Sequence, residues 1–262
     1  MDALIIKSLD EFVTKANMLL NRSIVSAYCF GSAIYDDFHT GYSDLDFFII
    51  TENTISEDDF QKFSEWRAEL RNLKHPYFSV LEGEIISKNA IKNDIESNVI
   101  YWGTSKDRLN HKYSLAGFSL RGLIDKGYLI YGKDLRKELS YPSNEEMLTQ
   151  VDSMIETIRK YAQVTNEEIH SVDWLFLISQ SIYWLKTSNT TGKTNAAKWI
   201  LDNCDYRWTG TLQKAIEVRQ SPVLAKSDEN KEWLKSLGCI IQCACDTLIV
   251  ERNEFASRHK HS

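Results

Sequence analysis

Two short apolar runs joined by a polar loop constrain this chain more than any other feature. IVSAYCF (Ile24–Phe30) and LDFFII (45–50) are rich in β-branched and aromatic residues and too short for helices, so both are expected to be buried strands. Gly31-Ser32 follows the first run, and Ser43-Asp44-Leu45-Asp46 opens the second. Strand side chains alternate faces, so Asp44 and Asp46 project from one side while Leu45 and Phe47 point to the other. Paired carboxylates repel unless a cation lies between them, and hard oxygen ligands suit Mg²⁺ held together with substrate phosphates. Gly31 permits close backbone approach, and Ser32 adds a hydroxyl to backbone N–H groups that would hold an anion. An Asp-x-Asp pair alone is more often a turn or strand-start cap than a metal site. The combination of strand, Gly-Ser, short loop and Ser-Asp-x-Asp strand is far rarer, and it reads as a triphosphate and metal site with Asp44 and Asp46 as ligands.

The flanking pattern sets the fold class. Ser8 with Glu11 matches a capping box, and apolar residues from Leu9 to Leu20 recur at helical spacing. Residues 56–73 read as a helix capped by Ser56, and 77–87 have strand character. Within that strand Glu82 and Glu84 share a face, so either carboxylate can serve as the base that takes a proton from an attacking hydroxyl. From Ser143 the character shifts: a second capping box, Ser143 with Glu146, opens a region without alternating strands. Helices are expected near 144–163, 170–188, 193–203, 208–219 and 228–253. The chain is therefore expected to be α+β, with an N-terminal domain over 1–142 built on a small mixed sheet with packed helices, and an all-α domain over 143–262.

Of the 262 residues 43% are hydrophobic, enough for a substantial core. With 31 Lys plus Arg against 37 Asp plus Glu, the net charge of −6 argues against a nucleic-acid backbone as partner and suits a cationic acceptor. No run approaches the roughly 20 apolar residues of a membrane span, and the first residues lack a long apolar signal core, so a cytoplasmic protein is expected. The odd number of cysteines fits reduced thiols; Cys239, Cys243 and Cys245 cluster without zinc spacing and are expected to be small buried residues.

Gly31-Ser32 and Ser43-Asp44-Leu45-Asp46 resemble the signature of the nucleotidyltransferase superfamily that includes DNA polymerase β, and most closely that of the streptomycin and spectinomycin adenylyltransferases. Leu81-Glu82 and the apolar strand after it are similar to that family's third-carboxylate strand. Residues 123–135 resemble the helix and strand closing its catalytic domain, and 191–199 its Lys-containing helix start. The resemblance implies Mg²⁺-dependent transfer of AMP from ATP, as co-substrate, to a hydroxyl of a small molecule such as a cationic aminoglycoside, with release of pyrophosphate. It favours Glu82 over Glu84 as base, gives Ser32 and Ser43 phosphate contacts, and brings Lys193 to the ATP phosphates, with the active site between the two domains. It also makes Trp102 a wall of the acceptor pocket. Two departures stand out: Asp36-Asp37 replace a Gly pair in a loop one residue longer, and Gln180 stands where the family has an Arg. Two other readings share these motifs, a regulatory nucleotidyltransferase acting on a protein partner and a non-catalytic nucleotide-binding module. A monomer or weak homodimer is expected.

Overall fold

The structure is a computed structural model that describes residues 1–73, 75–93, 97–104, 106–112 and 115–259. The chain divides into two compact units, one of Met1–Phe38 and Ser43–Pro142, the other of His39–Tyr42 and Ser143–Ser262.

The first unit is built on a six-stranded mixed sheet. Its strands are β1 (Ile24–Phe30), β2 (Leu45–Thr51), β3 (Leu81–Ser87), β4 (Val99–Trp102), β5 (Asp107–Asn110) and β6 (Tyr128–Gly132), in the order β5-β4-β3-β2-β1-β6. Only β2 and β3 run parallel; every other neighbouring pair is antiparallel. The parallel pair requires a crossover, supplied by α2 (Glu57–Asn72), whose N-terminus carries a capping box between Ser56 and Asp59. Alternation sorts the strand residues onto two apolar layers. Ala27, Cys29, Leu45, Phe47, Ile49, Leu81, Ile85, Ile100 and Trp102 pack with Leu9 and Phe12 of α1 (Ala3–Leu19) and Phe63 and Trp66 of α2. Tyr28, Phe30, Phe48, Ile50 and Ile86 pack on the other face, with Ala90 of α3 (Lys88–Asn93) and Leu123 of α4 (Gly117–Lys126).

The start of α1 differs from expectation. Asp2 caps the helix by accepting the Leu4 N–H at 2.7 Å, and Ser8 lies within it, donating its hydroxyl to the Leu4 carbonyl at 2.7 Å. A mid-helix Ser commonly turns back to the carbonyl four residues earlier, and the apolar face already begins at Ile5, so the helix extends past the apparent box.

The second unit is helical: α5 (Asn144–Tyr161), α6 (Asp173–Thr187), α7 (Lys193–Asn203), α8 (Thr209–Gln220), α9 (Asp228–Lys235) and α10 (Gly238–Arg258). Ser143 and Glu146 form the capping box of α5. Buried residues Leu175, Phe176, Ile178, Ile182, Trp184 and Leu185 spread around α6, which marks it as a core helix. The helix expected over 228–253 is two, broken at Ser236-Leu237 with a 48° bend. Gly238 starts the second so close to the Gln163 carbonyl that an added Cβ would lie 2.1 Å from its oxygen. The cysteines are free, with Cys29 and Cys245 buried, but Cys239 is exposed, because it faces outward in the first turn of α10. Among the described residues no single helix is long and apolar enough to cross a membrane.

Candidate active site

The geometry of the site follows from the register of the two parallel strands. Asp46 of β2 stands directly beside Glu82 of β3, and Phe48 beside Glu84. Neighbours in register share a face, so Asp46 and Glu82 lie together where the Phe48–Ile50 layer gives way to polar residues. Asp44 precedes β2 by one residue and is half-buried, as are Asp46 and Glu82. Gly31 takes φ of +68° at the end of β1, and a Cβ there would fall 1.9 Å from Asp46 Oδ2. The backbone of Gly31 thus packs directly on the Asp46 carboxylate, and only glycine fits both the left-handed conformation and the contact. Ser32 donates to the Asp44 carbonyl at 3.4 Å, and Ser43 is buried.

The two glutamates differ in surroundings. Glu84 is 5% exposed and accepts the Leu115 N–H at 3.2 Å, a bond that holds the start of α4. Glu82 is half-buried and accepts the hydroxyl of Tyr101. Tyr101 pairs across strands with Glu84, and Arg108 pairs with Tyr101, its guanidinium 4.0 Å from the ring centroid. Tyr101 therefore faces the site. Trp102, one residue on, faces the other layer: it is 1% exposed, with rings of Phe12, Phe63 and Trp66 between 5.4 and 5.9 Å away. Its expected place on an acceptor wall is corrected by strand alternation, which puts neighbouring residues on opposite faces.

These residues form a donor set that fits a divalent cation. Among the described residues no group of three or more His, Cys, Asp or Glu side chains is arranged to hold a metal ion. Mg²⁺ sites do not need such a cage, since one or two carboxylates usually act with substrate phosphates and water. Asp44 and Asp46, both half-buried, are carboxylates of the kind such a site would use. Of the two loop acids, Asp36 is exposed, whereas Asp37 is 3% exposed and its N–H donates to the Ser32 carbonyl at 3.0 Å.

Lys193 opens α7 in the second unit, where its ammonium lies 3.1 Å from Asp173 Oδ1. Asp173 also accepts the Tyr42 hydroxyl at 2.7 Å and has His170 Nδ1 at 3.0 Å. Burial pushes the Asp173 carboxyl upward, but His170, the Lys193 charge and the Tyr42 hydroxyl outweigh it and hold the group below the usual carboxylate range. The Tyr42 ring is stacked on His170 at 5.1 Å, and the guanidinium of Arg219, itself 1% exposed, lies 4.5 Å from it. Gln180 donates to the Thr191 carbonyl at 2.8 Å and so steadies the turn before α7. Tyr42, Tyr101, Arg108, Asp173 and Arg219 were not legible as members of these clusters, because the contacts of Tyr42 with Asp173 and Arg219, and of Tyr101 with Glu82, join different elements, and that of Arg108 depends on the pairing of β4 with β5; alternation along VIYW was an available signal, and it selects Tyr101.

Residues 9–102 match the family model of the nucleotidyltransferase domain, a span that includes Gly31, Ser43, Asp44, Asp46 and Glu82. The chain carries a nucleotidyltransferase domain. This places it among enzymes of that class. The solved structure of the spectinomycin adenyltransferase AAD(9) from Enterococcus faecialis with ATP and spectinomycin aligns with a TM-score of 0.66, covering 90% of this chain and 96% of that one. The identity is 14%, so the likeness is one of fold. No curated protein sequence matches the chain. The matched span runs from α1 to β4 and holds Asp44, Asp46 and Glu82, while Lys193 lies outside it.

Proposed function

We propose that the protein transfers AMP from ATP to a hydroxyl of a small molecule such as an aminoglycoside or aminocyclitol, in a reaction that requires Mg²⁺. The observation that carries this reading is the register of Asp46 beside Glu82, with the Gly31 backbone seated on the Asp46 carboxylate. Asp44 and Asp46 would hold the metal, which when bound offsets charge on the triphosphate and on the departing pyrophosphate. Glu82 takes the proton of the attacking hydroxyl; Glu84 is already committed to the Leu115 N–H. Ser32 and Ser43 serve the phosphates. Lys193 is proposed, on the family resemblance, as a further phosphate ligand that would exchange Asp173 for the nucleotide. The AAD(9) structure contains ATP and spectinomycin, which supports a nucleotide and small-molecule pairing here.

The test is incubation of the full chain with each nucleoside triphosphate, Mg²⁺ and a panel of aminoglycosides and aminocyclitols, following pyrophosphate and the mass of the acceptor. A mass gain of one AMP on an acceptor is expected. Label on a protein instead would replace the small-molecule acceptor by a polypeptide, and absence of pyrophosphate with every nucleotide and acceptor would refute the transferase reading.

A further inference from the structure

The face that carries Asp46 and Glu82 continues across β4 and β5, and the residues it presents there have no role in the reading above. Tyr101 is half-buried beside Glu84, one strand over from Glu82, and its hydroxyl donates to Glu82 Oε1. Among the described residues the Glu82 carboxylate accepts no other hydrogen bond. On the far side, the exposed Arg108 lies in register with Tyr101, its guanidinium over the ring. The ring is therefore gripped from one side while its hydroxyl grips the glutamate.

We propose that Tyr101 is the positioning residue of the base: it fixes one oxygen of the Glu82 carboxylate, with Arg108 bracing its ring, so that the other oxygen is presented to the acceptor hydroxyl. This rests on Glu82 being the base. In that step the acceptor O–H bond breaks with its proton passing to Glu82, the acceptor oxygen bonds to the α-phosphorus, and the bond from the α-phosphorus to pyrophosphate breaks. A glutamate side chain has three rotatable bonds, and a base misplaced by about 1 Å loses a large part of its effect. A donor to one oxygen removes that freedom without occupying the other. Tyr101 is well suited to the task, since burial and the neighbouring Glu82 push its phenol up to about 12, so it stays a hydrogen-bond donor across neutral and moderately alkaline pH. A phenylalanine at 101 would keep the ring under Arg108 and lose only the donor.

The experiment is a double-mutant cycle in the full chain with Tyr101→Phe, Glu82→Gln and the double variant, using whichever acceptor the wild type modifies. Tyr101→Phe is expected to lower kcat by about 10- to 100-fold, the effect of one lost bond to a charged group. Its KM for the acceptor, its affinity for a non-hydrolysable ATP analogue with Mg²⁺, and its melting temperature should stay at wild-type values. The double variant should be no slower than Glu82→Gln alone, because Tyr101 acts through Glu82. Wild-type kcat in Tyr101→Phe, a loss that tracks nucleotide affinity, or losses that simply multiply in the double variant would each overturn the inference while leaving the transferase reading intact. A fully active Glu82→Gln removes the base and this inference together, and a wild type that modifies no acceptor refutes the proposed function itself.

Discussion

At Gly31 the chain turns from β1 with φ of +68°, and the Cα faces the carboxylate of Asp46. An L-residue in that conformation costs roughly 1–2 kcal/mol, and its Cβ would also have to displace an oxygen 1.9 Å away. Gly31→Ala should therefore move the Asp46 carboxylate. Because reacting groups displaced by about 1 Å lose around two orders of magnitude in rate, transfer should fall about 100-fold or more. The melting temperature should fall by only a few degrees, since Gly31 is a half-buried residue just beyond the end of β1. Pyrophosphate release and thermal melting of the variant check both halves, and full activity would show that Asp46 is not held as described. The Asp-x-Asp pair was legible in the sequence because its chemistry and its spacing are both local. The distinction between Glu82 and Glu84 was not, because it depends on what each meets: Tyr101 from β4, or the N–H of Leu115.

Among the elements, β4 shows most clearly how one residue of offset changes a role. Ile100 and Trp102 point into the layer under α1 and α2, and Tyr101 points to the site. Trp102 meets Phe12 edge-on at 5.4 Å and Trp66 at 5.4 Å, which makes it a keystone of aromatic packing between sheet and helices. Trp102→Ala should accordingly cost about 3–5 kcal/mol of stability, read from urea denaturation, and Trp102→Phe considerably less. Near-native stability in Trp102→Ala together with loss of acceptor use would restore the pocket role. Strand and helix types followed closely from periodicity, as in β1, α2, α5 and α7, because amphipathic repeats are local records of burial. Helix ends were less legible. Ser8 has the composition of a cap but sits where Ile5 and Leu9 already continue the buried stripe, and the break at Ser236-Leu237 answers to the close approach of Gly238 to a distant carbonyl.

In the whole molecule the second unit is not one segment, since His39–Tyr42 belongs with Ser143–Ser262. Tyr42 is 7% exposed, with Arg219 over one side of its ring, His170 stacked on it and Asp173 accepting its hydroxyl. A fragment limited to 143–262 lacks that ring, which would leave the buried Arg219 guanidinium with Phe176 and Thr194 but without one of its two aromatic partners, and a mostly buried carboxylate without one of its donors. Such losses are costly, because groups removed from water depend on the partners that replaced it. The fragment should therefore unfold at markedly lower urea than the corresponding helical part of the full chain, and Tyr42→Ala in the full chain should reproduce much of the loss. The same cluster gives a pH signature of definite sign. The folded state holds the Asp173 carboxyl below its usual range, so its stabilising contribution is fully present above the unfolded value of about 3.9 and declines as pH falls below it. Asp173→Asn removes this titration, and the stability gap between wild type and variant should thus be largest near neutral pH and narrow as acid is added below about pH 4. Urea midpoints measured for both proteins at pH 7 and pH 3 decide the matter: a gap that stays constant or widens in acid would mean that His170, Lys193 and Tyr42 do not stabilise the Asp173 charge, and that the Tyr42 segment is held by ring packing alone.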